Sequence, residues 1–215
     1  KHFLKKKYVI GAIIIILLIV MWIIGNNASE ADVKLIEADN DYGLSTEMTL
    51  EEFVDYYNEN LANMLNLTDK LFRQLNCIDI ENPYKVIEEH GLTEYIYAPP
   101  GSEQTTLQQN IMIGVDSQTG YVVLAQLRFV SDAYNSFFTT DEARNGVDAR
   151  AISIFHALGQ GDSEKASRIM EYWLDSTGTQ WDSNIVYMAG TTSNGIEVQG
   201  FTCCTEDAYN KIFGS

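Results

Sequence analysis

The stretch LQQNIMIGVDSQTGYVVLAQLRFV, residues 107–130, decides the fold class because it has the pattern of two amphipathic β-strands joined by a turn. Residues 116–120, Asp-Ser-Gln-Thr-Gly, separate two apolar runs and are typical of a hairpin turn. Apolar side chains alternate with polar or small ones in each run, as in strands with one buried face. The predicted inward positions are Ile111, Ile113, Val115, Tyr121, Val123, Ala125, Leu127 and Phe129. We therefore expect a sheet whose other face meets solvent.

A second hairpin is predicted over 185–189 and 196–204, with an Asn-Gly pair in its turn. Each hairpin has polar side chains that alternate with the apolar ones, and we expect these polar positions to share the accessible face of one antiparallel sheet. Side chains on neighbouring strands are held rigidly, so this face is the predicted binding surface. Its candidate residues are Gln126, Arg128, Glu197 and Gln199.

Helices are predicted before and after the first hairpin, which makes the class α+β. Thr49 and Glu52 form a capping-box pattern, and Met48 is placed to pack against Phe53. Further helices are predicted over 83–90, 139–158, 162–174 and 206–213. The two long helices are expected to cover the same side of the sheet, through Phe53, Tyr57 and Leu61 in one and Ile154, Phe155 and Leu158 in the other.

The two halves of the outer region, 48–130 and 139–215, follow one order: a long capped helix, a polar break, a shorter helix and a hairpin. An Asn-Ile pair stands before a strand in both halves, at Asn110 and at Asn184. This order suggests an internal duplication with an insertion over 81–103. Chance similarity is the alternative, because the order of elements is common and the identities are few.

The N-terminal segment has the pattern of a membrane anchor. Lys5, Lys6 and Lys7 precede an uncharged apolar run over 8–24, which as a helix spans about 25 Å of a hydrocarbon core about 30 Å thick. The basic flank predicts a cytoplasmic tail over 1–7, an anchor over 8–25, a polar acidic linker over 26–47 and an extracytoplasmic domain over 48–215. A cleaved signal peptide is the competing interpretation, and the length and bulk of the run favour an uncleaved anchor.

The charge is concentrated in the region after the anchor. The chain has 14 Lys and Arg against 30 Asp and Glu; four of the bases precede the apolar run and every acid follows it, so the outer part carries 10 − 30 = −20. This charge argues against a nucleic-acid partner and against adsorption to anionic lipid. It indicates a solvated acidic surface, or a cationic partner.

The cysteines and histidines indicate no metal or cofactor site. Cys203 and Cys204 are adjacent, so only one of them could form a disulfide with Cys77, and three free buried thiols are the alternative. The chain has no Cys-x-x-Cys, and His2, His90 and His156 lack metal-ligand spacing.

The sequence favours a noncatalytic function. Gly-x-Ser-x-Gly and glycine-rich phosphate loops are absent, so we expect a membrane-anchored binding or scaffold domain of the cell envelope whose partner is another protein. The tyrosines and tryptophans near the hairpins leave a cell-wall glycan open as ligand. The alternative is an envelope hydrolase whose carboxylates converge only in the fold. An Ile-rich anchor with a compact outer domain is typical of Gram-positive bacteria.

Overall fold

The structure is a computed structural model that describes residues 33–38, 40–98, 109–130, 141–159, 178–182, 184–193 and 197–213. These residues form an antiparallel sheet of seven strands with helices packed on it, so the predicted α+β class is confirmed. The helices are α1 (Leu50–Met64), α2 (Lys70–Asn76), α3 (Asp141–Leu158) and α4 (Glu206–Phe213). The strands are β1 (Leu35–Ile36), β2 (Ser45–Thr46), β3 (Lys85–Glu89), β4 (Leu92–Tyr97), β5 (Gln109–Asp116), β6 (Val122–Val130), β7 (Gly178–Asp182), β8 (Ile185–Ser193) and β9 (Glu197–Thr205).

Both predicted hairpins belong to one sheet, whose strand order is β3-β4-β5-β6-β9-β8-β7. They meet where β6 pairs with β9, with Leu127 directly opposite Phe201. The second hairpin is longer than predicted and has β7 on its outer side, whereas β1 and β2 pair separately. The predicted single sheet is therefore confirmed.

One face of the sheet, which we call the helical face, carries α1 and α3 and the larger core. The capping box at Thr49 and Glu52 is formed, and Met48 and Phe53 are buried in the same core. Ile154 and Leu158 of α3 are buried there too, as predicted. Each such large side chain contributes about 1.5–3 kcal/mol through burial, so this face anchors the fold.

A β-bulge in the first hairpin changes the predicted alternation. The register shifts between Gly114 and Val115, and Val123 is the extra residue on β6. As a result Val123 and Leu124 both pack into a second core on the opposite face, while Ala125 remains in the larger core. The prediction that Val123 lines the helical face was therefore wrong, because strict alternation fails at a bulge.

The face opposite α1 and α3, which we call the second face, is partly covered. Helix α4, predicted over 206–213, contacts β8 and β9 there and closes a core that contains Met112, Cys204 and Ala208. The Thr205 hydroxyl accepts a hydrogen bond from the Ala208 N–H at 3.2 Å and caps the helix. Only part of the face that we expected to be open is therefore free of this helix.

Residues 83–90 do not form the predicted helix. They contribute β3, which pairs with β4 through a two-residue turn at His90 and Gly91. Both turn residues have positive φ, 56° and 79°, as a type I′ hairpin turn requires. Strands β3 and β4 both lie within the stretch 81–103 that the duplication hypothesis treats as an insertion. Asn82, which precedes this stretch, belongs to a turn in which its side-chain amide donates to Asp79 Oδ2 at 2.8 Å.

The polar stretch that we expected to be a linker is folded from Val33 onward. Val33 is buried in the larger core, and Ser45 and Thr46 are buried in β2. Of the stretch expected to be a linker, residues 33–38 and 40–47 therefore belong to the folded domain.

Other predictions fall outside the described residues. These are the tail, the anchor, the first two residues of the helix predicted over 139–158, the 162–174 helix and the Asn-Gly turn of the second hairpin. Among the helices that the structure describes, none is long and apolar enough to cross a bilayer.

Candidate functional site

Arg128 and Gln126 lie next to each other on the second face. They are two residues apart on β6, and the Arg128 Nε donates a hydrogen bond to Gln126 Oε1 at 2.7 Å. Both side chains are half-buried. Gln126 sits directly opposite Met112 of the second core, so this polar pair begins where that apolar core ends. We call Arg128, Gln126, Asn110, Glu94 and Tyr42 the Arg128 patch.

The charge of Arg128 is held in a partly desolvated place. Burial lowers the pKa of its guanidinium, while Glu94 and Tyr42 raise it. The pKa of the Tyr42 hydroxyl is raised, first by its burial and then by Glu94. Among the described residues no carboxylate forms an ion pair with Arg128. An arginine keeps its charge in such a site, so the patch presents a cation that is only loosely compensated.

Asn110 completes the patch from β5, where it is directly opposite Arg128. Its Oδ1 atom is buried and accepts no hydrogen bond. A buried carbonyl oxygen without a donor costs about 1–3 kcal/mol. The site therefore combines guanidinium donors with an acceptor that still needs a donor.

Two glycines continue this row of the sheet. Gly200 on β9 is directly opposite Arg128, and Gly190 on β8 is opposite Gly200. A Cβ at Gly200 would overlap the Leu127 carbonyl oxygen, so a side chain there would push the strands apart. The sheet beside Arg128 consequently has two successive positions without a side chain.

The other two predicted binding residues do not join the patch in the strand register. Gln199 is opposite Phe129, and Glu197 is opposite Ser193. Gly200 is the β9 residue opposite Arg128. Glu197 and Gln199 are an odd number of residues away from Gly200 along β9, so they occupy the alternate positions of the strand. Their side chains lie outside the described part of the structure. The structure thus brings together two of the four predicted residues.

The cysteines lie in different layers. All three are free thiols in the structure, so neither candidate disulfide with Cys77 is formed. Cys203 is in the larger core and Cys204 in the second core. Burial raises the pKa of the half-buried Cys77 thiol, which makes it a poor nucleophile.

Sequence reasoning missed that Asn110 lies opposite Arg128 and that Glu94 and Tyr42 influence the charge of its guanidinium. Without the bulge, the pairing of Val115 with Val122 would continue to Asn110 opposite Leu127. The bulge shifts the register by one residue and brings Asn110 opposite Arg128. The polar character of Asn110 within an apolar strand was the one signal available.

Comparisons of the chain with protein-family models, with curated proteins and with solved structures found no match. Within the described ranges, no group of three His, Cys, Asp or Glu side chains is arranged to hold a metal ion.

Proposed function

We propose that this chain is a membrane-anchored extracytoplasmic binding domain of a Gram-positive cell envelope, and that the Arg128 patch contacts a protein partner. Residues 8–24 are the proposed anchor, with residues 1–7 in the cytoplasm. The Lys residues on one flank of the apolar run support this orientation.

The observation that carries the binding proposal is the state of the Arg128 guanidinium. Gln126 fixes its Nε, and its two terminal nitrogens donate to no described residue. A guanidinium offers paired N–H donors that match a carboxylate, and it does so most effectively where water is partly excluded. The preferred ligand group is therefore a carboxylate.

Asn110 adds a second requirement, because its buried Oδ1 lacks a donor. A carboxylate with a neighbouring peptide N–H meets both needs. We infer that the partner presents an acidic residue or a chain terminus on an extended segment. The wider surface is acidic, so we expect the affinity to come from this contact rather than from long-range attraction.

The sheet also supports the internal duplication as a proposal. The hairpins β5–β6 and β8–β9 lie side by side about the β6–β9 pair, and α1 and α3 contact each other on the helical face. An approximate two-fold axis through this pair would relate two such halves.

The binding proposal is tested by following arginine side-chain N–H signals in the full chain, held in detergent micelles, during titration. N-acetylglycine supplies a carboxylate beside an N–H, and N-acetylglycinamide is the matched uncharged probe. We expect the Arg128 signal to shift saturably with the first probe and little with the second. Arg73 is the internal control, because its Nε is exposed and donates to the Leu67 carbonyl at 2.9 Å.

Two variants sharpen this experiment. Arg128→Lys keeps the charge but loses the paired donors, so we expect at least about tenfold weaker binding of N-acetylglycine. Asn110→Ala removes the acceptor that the probe's N–H would meet, and should weaken N-acetylglycine more than acetate. An Arg128 signal that moves no more than that of Arg73 would overturn the proposal.

The membrane topology is tested separately. Protease added to intact cells should remove the domain after Asn26 and leave a small anchored fragment. Full protection of the domain would reverse the proposed orientation.

A further inference from the structure

Strand β3 is the outermost strand at one side of the sheet, and no described residue pairs with its outer edge. Its sequence is Lys-Val-Ile-Glu-Glu, and four of its five side chains are exposed. Val86 is 45% exposed and the preceding Tyr84 is 47% exposed. An edge with unpaired backbone groups and exposed apolar side chains is a template for another strand.

The turn beside β3 determines which backbone groups point outward. His90 and Gly91 form a two-residue turn, so Glu89 and Leu92 are the hydrogen-bonded pair that closes it. Hydrogen-bonded and non-hydrogen-bonded pairs alternate along an antiparallel ladder. The N–H and C=O groups of Val86 and Glu88 therefore point away from β4.

We propose that β3 pairs antiparallel with β3 of a second copy of this chain, about a two-fold axis at Ile87. The outward groups of Val86 then meet those of Glu88 of the second copy, which gives four backbone hydrogen bonds across the axis. Lys85 stands opposite Glu89 of the second copy, and this ion pair occurs twice. Ile87 packs against Ile87 of the second copy between the two ion pairs.

The charge pattern favours this one arrangement over others. Charged residues on an edge strand usually prevent pairing with other strands. Parallel pairing of two β3 strands would place Lys85 against Lys85 and Glu89 against Glu89, which is unfavourable. The antiparallel register about Ile87 instead places Lys85 opposite Glu89 of the second copy and leaves Glu88, the third charged residue of β3, opposite Val86. The resulting interface is isologous, as in most homodimers.

The size of the edge indicates a weak dimer in solution. Stable interfaces bury about 1,600 Å², and two five-residue strands provide less than that. Confinement of two copies to one membrane, if the chain is anchored as proposed, would raise their effective concentration.

The test uses two opposite charge reversals in the full chain, purified in micelles under two different affinity tags. Lys85→Glu and Glu89→Lys each place like charges together twice in the homodimer. We expect each variant alone to dimerise at least about tenfold more weakly than the wild type. When the two variants are mixed, every pair between them places Glu against Lys. Purification through the tag of one variant should therefore also recover the other variant. Lys70→Glu and Glu81→Lys are matched controls, because they reverse exposed charges outside β3.

A second variant tests the backbone contact independently of charge. Glu88→Pro removes an N–H that points outward and leaves the ladder with β4 intact. Its melting temperature should stay close to that of the wild type while carbodiimide cross-linking of the dimer is lost.

Three results would overturn the proposal: a wild-type chain that is monomeric and does not cross-link, reversals that leave the dimer unchanged, or a mixture that fails to restore it. A monomer that binds a Lys-rich extended peptide through β3 would assign this edge to a different partner and also overturn it.

Discussion

Asp116 ends β5 at the first hairpin turn, and its carboxylate organises that turn. The side chain is fully buried, and Oδ1 accepts hydrogen bonds from the Thr119 N–H and hydroxyl, both at 2.7 Å. The Gln118 N–H donates to the same oxygen at 3.2 Å, and Asn40 Nδ2 donates to Oδ2 at 2.7 Å. Asp116 therefore joins the hairpin turn to the loop that precedes α1.

We expect Asp116→Ala to lower the free energy of unfolding by about 3 kcal/mol. A hydrogen bond to a charged acceptor contributes about 1.5–3 kcal/mol, and such contributions are not additive within one network. The Gln118 and Thr119 donors lie in an exposed turn and can bind water after the substitution. The half-buried Asn40 amide cannot do so as easily, so the loss should be close to that of one strong bond plus one unpaired donor.

Asp116→Asn should lower the free energy of unfolding by less, about 1.5 kcal/mol, because its amide oxygen can still accept the hydrogen bonds of the turn. Its Nδ2 would then face the Nδ2 of Asn40. Asn40 cannot flip freely, because its Oδ1 already accepts a hydrogen bond from the Tyr42 N–H at 2.8 Å. Thr119→Ser is the matched control, since it keeps the hydroxyl and should cost well under 1 kcal/mol.

The same carboxylate predicts a pH dependence. Burial alone would raise the pKa of Asp116, but the hydrogen bonds from Asn40, Thr119 and Gln118 outweigh it and hold the pKa below the ordinary 3.8. The contribution to stability is therefore complete above pH 3.8 and is lost as the pH falls through the folded-state pKa. The stability difference between wild type and Asp116→Asn should stay constant from about pH 7 to 5 and shrink toward pH 3.

Urea unfolding of the full chain in micelles, followed by circular dichroism, measures these differences. A cost below about 1 kcal/mol for Asp116→Ala would contradict the proposed role of the carboxylate. So would a difference between wild type and Asp116→Asn that does not change between pH 7 and pH 3.

Three further predictions concern stability. Gly43→Ala should cost at least about 2 kcal/mol in urea unfolding, because Gly43 has φ of 88° and a Cβ there would overlap Asp207 Oδ2. Thr49→Ala removes the cap of α1 and should cost about 1 kcal/mol, measured as a lower urea midpoint; an unchanged midpoint would contradict that role of the cap. Leu127→Ala should cost about 2–5 kcal/mol, because Leu127 is fully buried at the centre of the sheet. Arg128→Ala, one residue away on the second face, should change the melting temperature little, and equal losses at both positions would contradict the assignment of the two faces.

The elements that could be predicted from sequence are those whose signals are local. The capping box at Thr49, the first hairpin turn and α4 all depend on residues within a few positions of one another. The inward positions Ile111, Ile113 and Val115 on β5 and Ala125 and Leu127 on β6 were also predicted, because strict alternation fails only around the bulge at Val123.

The elements that could not be predicted depend on less usual backbone geometry or on distant contacts. The β3–β4 turn uses a left-handed histidine, His90, where the common signal would be Asn-Gly, so the stretch had the pattern of a capped helix. The bulge at Val123 has no composition signal, yet it decides which residue faces Arg128. The position of α4 on the second face depends on its packing against β8 and β9, which its own sequence does not specify.

The adjacent residues Cys203 and Cys204 give the protein a pair of built-in chemical probes. Each thiol is fully buried, one under α1 and α3 and the other under α4. Burial raises the pKa of Cys204 to about 12 and raises that of Cys203 well above its ordinary value. A thiol reagent should therefore reach each cysteine only when its own layer opens. Because the two cysteines are adjacent, the labelling rates of both can be read on a single proteolytic fragment. Equal rates would indicate that α1, α3 and α4 detach from the sheet together. Faster labelling of Cys204 would indicate that the C-terminal helix α4 detaches first.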